Sequence, residues 1–221
     1  MKWHKSLGMG GDNYRFQKHE NLAHYANAAA DIEFKFPFGF KELEGIHSRT
    51  DFDLKAHQEY SGKKLQYFDP EIKESYIPYV VETSIGLDRM FLAVLSYSFH
   101  EEELTGGEKR VVLKIPPILA PLKAAILPLT KKDGLPEKAR ELMNFLKIDF
   151  NCQYEEKDSI GKRYRRHDAI GTPYCITVDH QTLEDNTITL RDRDSMNQER
   201  ISIDKLHSII SERINLKKYL C

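Results

Sequence analysis

The sequence predicts two parts of different kind in one 221-residue chain: an antiparallel β platform with attached helices, α+β in class, followed by a mixed α/β unit. Three observations carry this reading. Ile32, Phe34 and Phe36 alternate with polar residues at the period of a strand, and a second such run follows after a turn. Beyond residue 110 the pattern becomes strand and helix in alternation. Between them, "HEEELTGGEK" is polar and holds Gly106 and Gly107, which places a domain boundary near residue 105.

In the first part, "DIEFKFPFGFKELEGI" reads as two strands around a turn carrying Pro37 and Gly39. "TDFDLKAHQEYSG" reads as a short helix with Thr50 or Asp51 in position to cap it and Gly62 to end it. Residues 76–83 read as a strand and 86–99 as a buried helix. In the second part, strands are expected at 110–115, 122–129, 150–155, 173–179, 186–191 and 199–203. Helices are expected at 135–147, 160–170 and 204–215. Leu135, Ala139, Leu142, Met143 and Leu146 form one helical stripe, and Leu206, Ile209, Ile210 and Ile214 another; such stripes close a domain's own sheet.

Composition limits the function. With 33 Lys and Arg against 34 Asp and Glu the net charge is −1, so no global field draws in nucleic acid and any such contact needs a local patch. No apolar run is long enough for a bilayer, and "MKWHKSLGMGGDNYRF" lacks the apolar core of a signal peptide. Cys152, Cys175 and Cys221 have no paired spacing, which fits a reducing cytoplasm. His19 and His24 lack the spacing of a ligand pair, so no metal held by protein side chains alone is expected.

The chemistry gathers at "YVVETSIGLDRMFLAVLSYSF", residues 79–99. A strand delivers Glu82 and Ser84, Gly86 follows, and Arg89 stands in the first turn of an apolar helix. A helix N-terminus attracts anions, and a guanidinium adds a planar fork that bonds phosphate twice and stacks on a base. The junction suits a polyphosphate. In the second part "GKRYRRHD" sets Lys162, Arg163, Arg165 and Arg166 beside Tyr164, a mixture of cation and ring that serves phosphates and unstacked bases.

"ETSIGLDR", residues 82–89, resembles motif 3 of the class II aminoacyl-tRNA synthetases, in the form used by dimeric glycyl-tRNA synthetases. Four further stretches resemble that family in order: "QKHENLAHYANAAADIEFKFPFGF" at 17–40, "KELEGIHSRTDFDLKAHQEYSGK" at 41–63, "DSIGKRYRRHDAIGTPYCITVD" at 158–179 and "TITLRDRDSMNQERI" at 187–201. The resemblance implies part of an antiparallel class II catalytic sheet at 1–105. It implies an anticodon-binding domain, a mixed five-stranded sheet with three helices, at 106–221.

By that resemblance Arg89 and Glu82 are the catalytic pair. Glu82, Thr83, Ser84, Ile85 and Gly86, with Glu42, wall the glycine pocket; Glu42, Leu43, Gly86, Leu87, Asp88 and Arg89 meet ATP. Arg49 and Asp51 support them from behind. Lys162, Arg163, Arg165 and Arg166 contact tRNA, with Arg191 and Arg193 as the second choice. The implied reaction activates glycine with ATP, Mg²⁺ bridging the phosphates, and transfers the glycyl group to tRNA(Gly). The family's motifs 1 and 2 are not matched, so the chain is expected to be a C-terminal part of a longer, homodimeric cytoplasmic enzyme and inactive alone. The alternatives are a non-catalytic nucleic-acid-binding relative, such as a polymerase accessory subunit, and an interaction protein that reuses the anticodon-binding fold.

Overall fold

A computed structural model describes residues 1–217; Cys221 lies outside the described residues. The chain forms two compact units, one of Gly10–Ser96 with Met1, the other of Lys2–Met9 and everything from Tyr97 onward. Helix α1 (Lys2–Ser6) therefore belongs to the second unit.

The first unit is built on an antiparallel four-stranded sheet. Strands β1 (Tyr14–Lys18), β2 (Ala28–Phe36) and β3 (Gly39–Ser48) are neighbours in chain order. Ile32, Phe34 and Phe36 are buried, as their alternation requires, and Tyr14 meets Phe34 edge to face at 5.1 Å. Phe36 pairs with Gly39 across the Pro37–Phe38 turn, where Gly39 takes φ +100°, a value glycine adopts without strain. The β2–β3 register slips between Ile32 and Glu33, leaving Leu43 as the extra residue of a bulge.

Helix α2 (Phe52–Ser61) ends on Gly62 in the left-handed conformation. Asp51 occupies its N-cap position without a side-chain cap bond, because its carboxylate lies 2.6 Å from Lys55 instead. The strand expected over 76–83 is divided: β4 (Tyr67–Asp69) pairs with β5 (Glu74–Tyr76), and β6 (Val81–Ile85) joins β3 at the sheet's edge. Pro78 lies between β5 and β6 and has no N–H to continue a ladder. Helix α3 (Leu87–Ser98) follows directly.

In the second unit β7 (Phe99–Glu103) and β8 (Lys109–Leu113) form an antiparallel hairpin. The polar Gly106–Gly107 stretch is the tip of this hairpin, so it serves as a turn rather than as a linker. Strand β9 (Ala124–Pro128), helix α4 (Leu135–Leu146), β10 (Cys152–Tyr154), α5 (Ile160–Ala169) and β11 (Tyr174–Val178) come next. The remaining elements are α6 (His180–Asp185), β12 (Thr187–Asp192), β13 (Gln198–Ser202) and α7 (Ile203–Arg213). The sheet order is β10-β9-β11-β12-β13, parallel through the first three and antiparallel after them.

The stripes of α4 and α7 close one face, Leu135, Ala139, Leu142, Leu146, Leu206 and Ile210 packing with Ile126, Ile176, Ile188 and Leu190. Each such leucine or isoleucine contributes roughly 1.5–3 kcal/mol by leaving water. Helix α5 lies on the other face, where Ile160 and Tyr164 meet Ala125, Leu127 and Cys175. Beyond α5, that face carries Thr189 and Arg200, which pair across β12 and β13.

Helix α6 was not legible as a helix because six residues give no apolar stripe. Its start is a capping box: Asp179 accepts from Thr182 N, and the Thr182 hydroxyl accepts from Asp179 N. The same carboxylate meets both ends of the Arg200 guanidinium, at 2.6 and 2.9 Å. Partial burial works to raise the Asp179 carboxyl, but Arg200 and the cap outweigh it and hold it below the ordinary carboxylate range. A carboxylate depressed by folding stabilises the fold above its unfolded value of about 3.9, and that contribution fades as pH falls through its folded value. Arg200→Met is therefore expected to lower Tm at neutral pH, by a margin that shrinks when melts are repeated below about pH 4. A margin that stays constant into strong acid would contradict this pairing.

Candidate functional site

Pairing across β2, β3 and β6 collects the polar side chains of the first unit on one sheet face. Asp31, Gly45 and Ser84 stand in one row, and Ala29, His47 and Glu82 in the next. A Cβ built on Gly45 would lie 3.0 Å from His47 Cε1 and 3.7 Å from Asp31 Oδ1, so both side chains project from this face beside the glycine. His19 Nε2 is 2.9 Å from Asp31, and Arg15 is 2.5 Å from Glu33. Asp31, Gly45 and His47 were missed in the sequence. The alternation that buries Ile32 and Phe34 already required Asp31 and Glu33 to face the other way.

Arg49 organises this face. Its Nη1 donates to Glu82 Oε2 at 2.7 Å, while Nε and Nη2 donate to the two oxygens of Asp53 at 2.6 and 3.0 Å. The guanidinium also sits 4.1 Å over the Tyr25 ring. The hydrogen bond from Arg49 lowers the Asp53 carboxyl, and the bond to Asp53 raises Arg49 in turn. Asp51 takes no part beyond its pair with Lys55.

Arg89, in the first turn of α3, donates through Nη1 to the Glu42 carbonyl at 2.7 Å and lies 3.5 Å from the Glu42 carboxylate. Both side chains remain more than half exposed. Gly86 accepts the first helical bond, from Met90 N. A Cβ there would touch only the Arg89 stem, at 3.6–3.9 Å, so the chain's own packing does not demand glycine. Thr83, Ser84, Ile85, Leu87 and Asp88 are exposed. Leu43 is buried, which leaves its main chain as the part it can present.

The basic stretch on α5 divides into different roles. Arg163 is 2% exposed and donates to the carbonyls of Pro128, Glu155 and Leu129 at 2.7, 3.1 and 3.3 Å. It ties together the segments leaving β9 and β10, which corrects its expected place among the tRNA contacts. Arg166 pairs with Glu155 and Asp158 at 2.5 and 2.8 Å and so carries little uncompensated charge. Lys162 is exposed, and Arg165 is held loosely, 3.9 Å from Glu108 and from Asp168. With Tyr164 and Gln198 these two line a groove of about 420 Å³.

The second choice, Arg191 and Arg193, is structural as well. Asp168 has no exposed surface; Arg191 donates to both its oxygens at 2.8 and 3.0 Å, and Arg110 of β8 donates at 3.1 Å. Arg191 also lies 4.8 Å over the Tyr164 ring, whose hydroxyl bonds Thr177 at 2.6 Å. Arg193 is 1% exposed, donates to the Gly171 carbonyl at 2.8 Å and accepts from Arg110 on its own carbonyl. Asp168→Ala leaves buried Arg191 without its anion and Arg110 with Glu102 alone, at 3.0 Å, and is expected to cost about 3–5 kcal/mol. Urea unfolding followed by circular dichroism measures it; a loss under about 1 kcal/mol would show that water or another acid replaces the carboxylate.

A family model described as the anticodon binding domain matches residues 123–213. The glycine–tRNA ligase of Clostridium tetani is 57% identical over 211 residues, covering 95% of this chain and 45% of the relative. That of Chlorobaculum tepidum is 54% identical over 214 residues, covering 96% and 45%. The chain thus spans a little under half the length of the curated relatives it matches. In fold it is similar to the crystal structure of the RNA-binding domain of threonyl-tRNA synthetase from Cryptosporidium parvum Iowa II, with a TM-score of 0.67 at 21% identity over 87% of this chain and 44% of that one. The mixed five-stranded sheet thus carries the anticodon-binding match, and 95% of the chain aligns with one of these glycine–tRNA ligases at 57% identity.

Proposed function

We propose that the polar sheet face of the first unit binds glycine and ATP, and that the second unit binds tRNA(Gly), as parts of a glycine–tRNA ligase. The observation that carries this reading is the fixed Glu82: Arg49, itself locked by Asp53 and Tyr25, holds that carboxylate in the row beside Ser84. A solvated strand acid needs no such support. Glu82 and Asp31 offer anionic oxygens to the glycine ammonium, and the Ser84 hydroxyl adds a donor or acceptor. His47 and Asp31 already crowd side-chain-free Gly45, and in this reading the same crowding excludes a substrate that carries a β-carbon.

In this reading the glycine carboxylate attacks the α-phosphorus of ATP and pyrophosphate leaves; the terminal ribose hydroxyl of tRNA then takes the glycyl group and AMP leaves. Mg²⁺ bound with ATP would supply charge neutralisation at the phosphates. Arg89 turns from Glu42 toward the nucleotide, where its fork serves phosphate and its plane stacks on adenine. The other arginines of this face are committed, Arg15 to Glu33 and Arg49 to Asp53 and Glu82. With Arg89 given to the nucleotide, no uncommitted guanidinium among the described residues of this face is left for the α-phosphate, and one missing donor at a developing charge costs on the order of 10²–10³ in rate. We therefore infer that the chain alone is inactive, and its test is one of binding. Calorimetric titration with a non-hydrolysable glycyl-adenylate analogue is expected to show Glu82→Gln weakening affinity by roughly tenfold or more, the scale of one charge-assisted bond. Equal affinity in both proteins would move the glycine site elsewhere.

For tRNA, the cations left for solvent are Lys162 and Arg165, beside the groove with Tyr164 and Gln198. The Arg49 clamp favours a ligase over a relative that only binds nucleic acid, since binding tRNA gives that clamp nothing to do. Changing Lys162 and Arg165 together to Ala is expected to weaken binding of glycine tRNA and to flatten its log–log salt dependence by roughly 0.7–0.9 per lost phosphate contact. Tm should hold. Arg163→Ala, by contrast, is expected to lower Tm. Unaltered affinity and slope in the Lys162/Arg165 double variant would make this side of α5 an ordinary solvated face.

A further inference from the structure

Glu108 and Arg165 both border the groove beside α5, and their charged groups stand 3.9 Å apart. That is too far for a hydrogen bond, so the carboxylate keeps its acceptors free and the guanidinium its donors. The pair is nevertheless held in register. Glu108 lies two residues before Arg110, the strand period that puts both on one face of the β7–β8 hairpin, and Arg165 lies three residues before Asp168, on the same side of α5. The buried Arg110–Asp168 pair, at 3.1 Å, locks hairpin against helix one repeat further in, and Glu108 faces Arg165 as a result. The turn itself closes on Glu108, whose carbonyl accepts from Leu104 N at 2.8 Å. An exposed ion pair at this separation adds little to stability, so folding does not account for it.

We propose that Glu108 and Arg165 read the Watson–Crick edge of a cytosine in the anticodon of tRNA(Gly), an inference that rests on the reading of this groove as the tRNA site. Every glycine codon begins GG, so the second and third anticodon positions of any tRNA(Gly) are cytosine. The edge of cytosine presents an amino donor, N4, beside two acceptors, N3 and O2. A carboxylate accepts from the amino group while an adjacent guanidinium fork donates to N3 and O2, which is the order of groups that Glu108 and Arg165 offer. Uracil reverses the first two positions. Its O4 meets the carboxylate and its N3–H meets the guanidinium, so two charged groups lose their hydration without gaining a bond. A site built to bond one edge rejects the other strongly for that reason. Tyr164 and Met196 line the same groove and offer a ring and a thioether on which an unstacked base can rest. Lys162 is then left for the backbone phosphates.

The test is fluorescence anisotropy of the full 221-residue chain with a tRNA(Gly) transcript and with transcripts in which one anticodon cytosine at a time is replaced by uracil. The unaltered chain is expected to bind one of the uracil transcripts roughly ten- to a hundredfold more weakly, the scale of one well-paired base edge. Glu108→Gln keeps the side chain's shape, but an amide accepts or donates according to which way it is turned, so the preference is expected to fall to about threefold or less. The Glu108 side chain is 81% exposed, and its main-chain bond survives the change, so the variant folds. An unaltered chain with no preference for cytosine overturns the proposal, as does a Glu108→Gln variant that keeps the full preference. A Glu108→Gln variant that binds every transcript more tightly by the same factor also overturns it, because Glu108 would then act only as a charge that repels phosphate. Those three results leave the groove as the tRNA site so long as the Lys162/Arg165 double variant loses affinity. If that double variant binds like the unaltered chain, or the chain binds no tRNA, the site reading falls and the proposal falls with it.

Discussion

Asp168 is a carboxylate with no exposed surface, and the second unit is arranged around its charge. Through it, α5 is bound to β12 by Arg191 and to the β7–β8 hairpin by Arg110. Arg193 extends the cluster to the carbonyl of Gly171. Removing three guanidinium groups and a carboxylate from water is expensive, and it is tolerated only because nearly every donor finds an oxygen in good geometry. The result is specificity of placement: a hairpin that has no strand partner in the five-stranded sheet is still held to one helix and one strand. The groove beside α5 takes its shape from this cluster, since Arg191 stacks on Tyr164 and Tyr164 is anchored to Thr177.

The same device recurs at smaller scale. Arg49 joins Asp53 of α2 to Glu82 of β6, and Arg200 joins Asp179 at the start of α6 to the hydroxyls of Thr187 and Thr189. Arg163 reaches main-chain carbonyls at the ends of two parallel strands. A planar fork with five donors can satisfy several acceptors at once, which lysine cannot. Lys123 is the exception that fits the rule: its ammonium collects the carbonyls of Pro117, Ile118 and Ala120, all within 3.1 Å, in one tight loop.

Sheet geometry does for the first unit what buried charge does for the second. Period two separates Ile32, Phe34 and Phe36 from Asp31 and Glu33, and antiparallel pairing then brings Ser84 and Glu82, distant in the chain, into the rows of Asp31 and His47. The bulge at Leu43 shifts Glu42 to face Glu33, and Arg89 crosses to its carbonyl.

Periodicity and turn chemistry alone determined the hairpin around Pro37 and Gly39, the apolar stripes of α4 and α7, the strand and helix alternation after residue 110, and the strand-to-helix junction that ends in Arg89. These features are local, and local patterns are written directly in sequence. Tertiary structure decided which charges remain for a ligand. "GKRYRRHD" reads as four equivalent cations on one helix, yet Arg163 is spent on carbonyls and Arg166 on two acids, while Arg191 and Arg193 vanish into the core. The acids that claim Arg166, Arg191 and Arg193, namely Glu155, Asp158, Asp168 and Asp194, were in plain view. A charge's partner is fixed by distance in space, and a one-dimensional pattern carries no record of that distance.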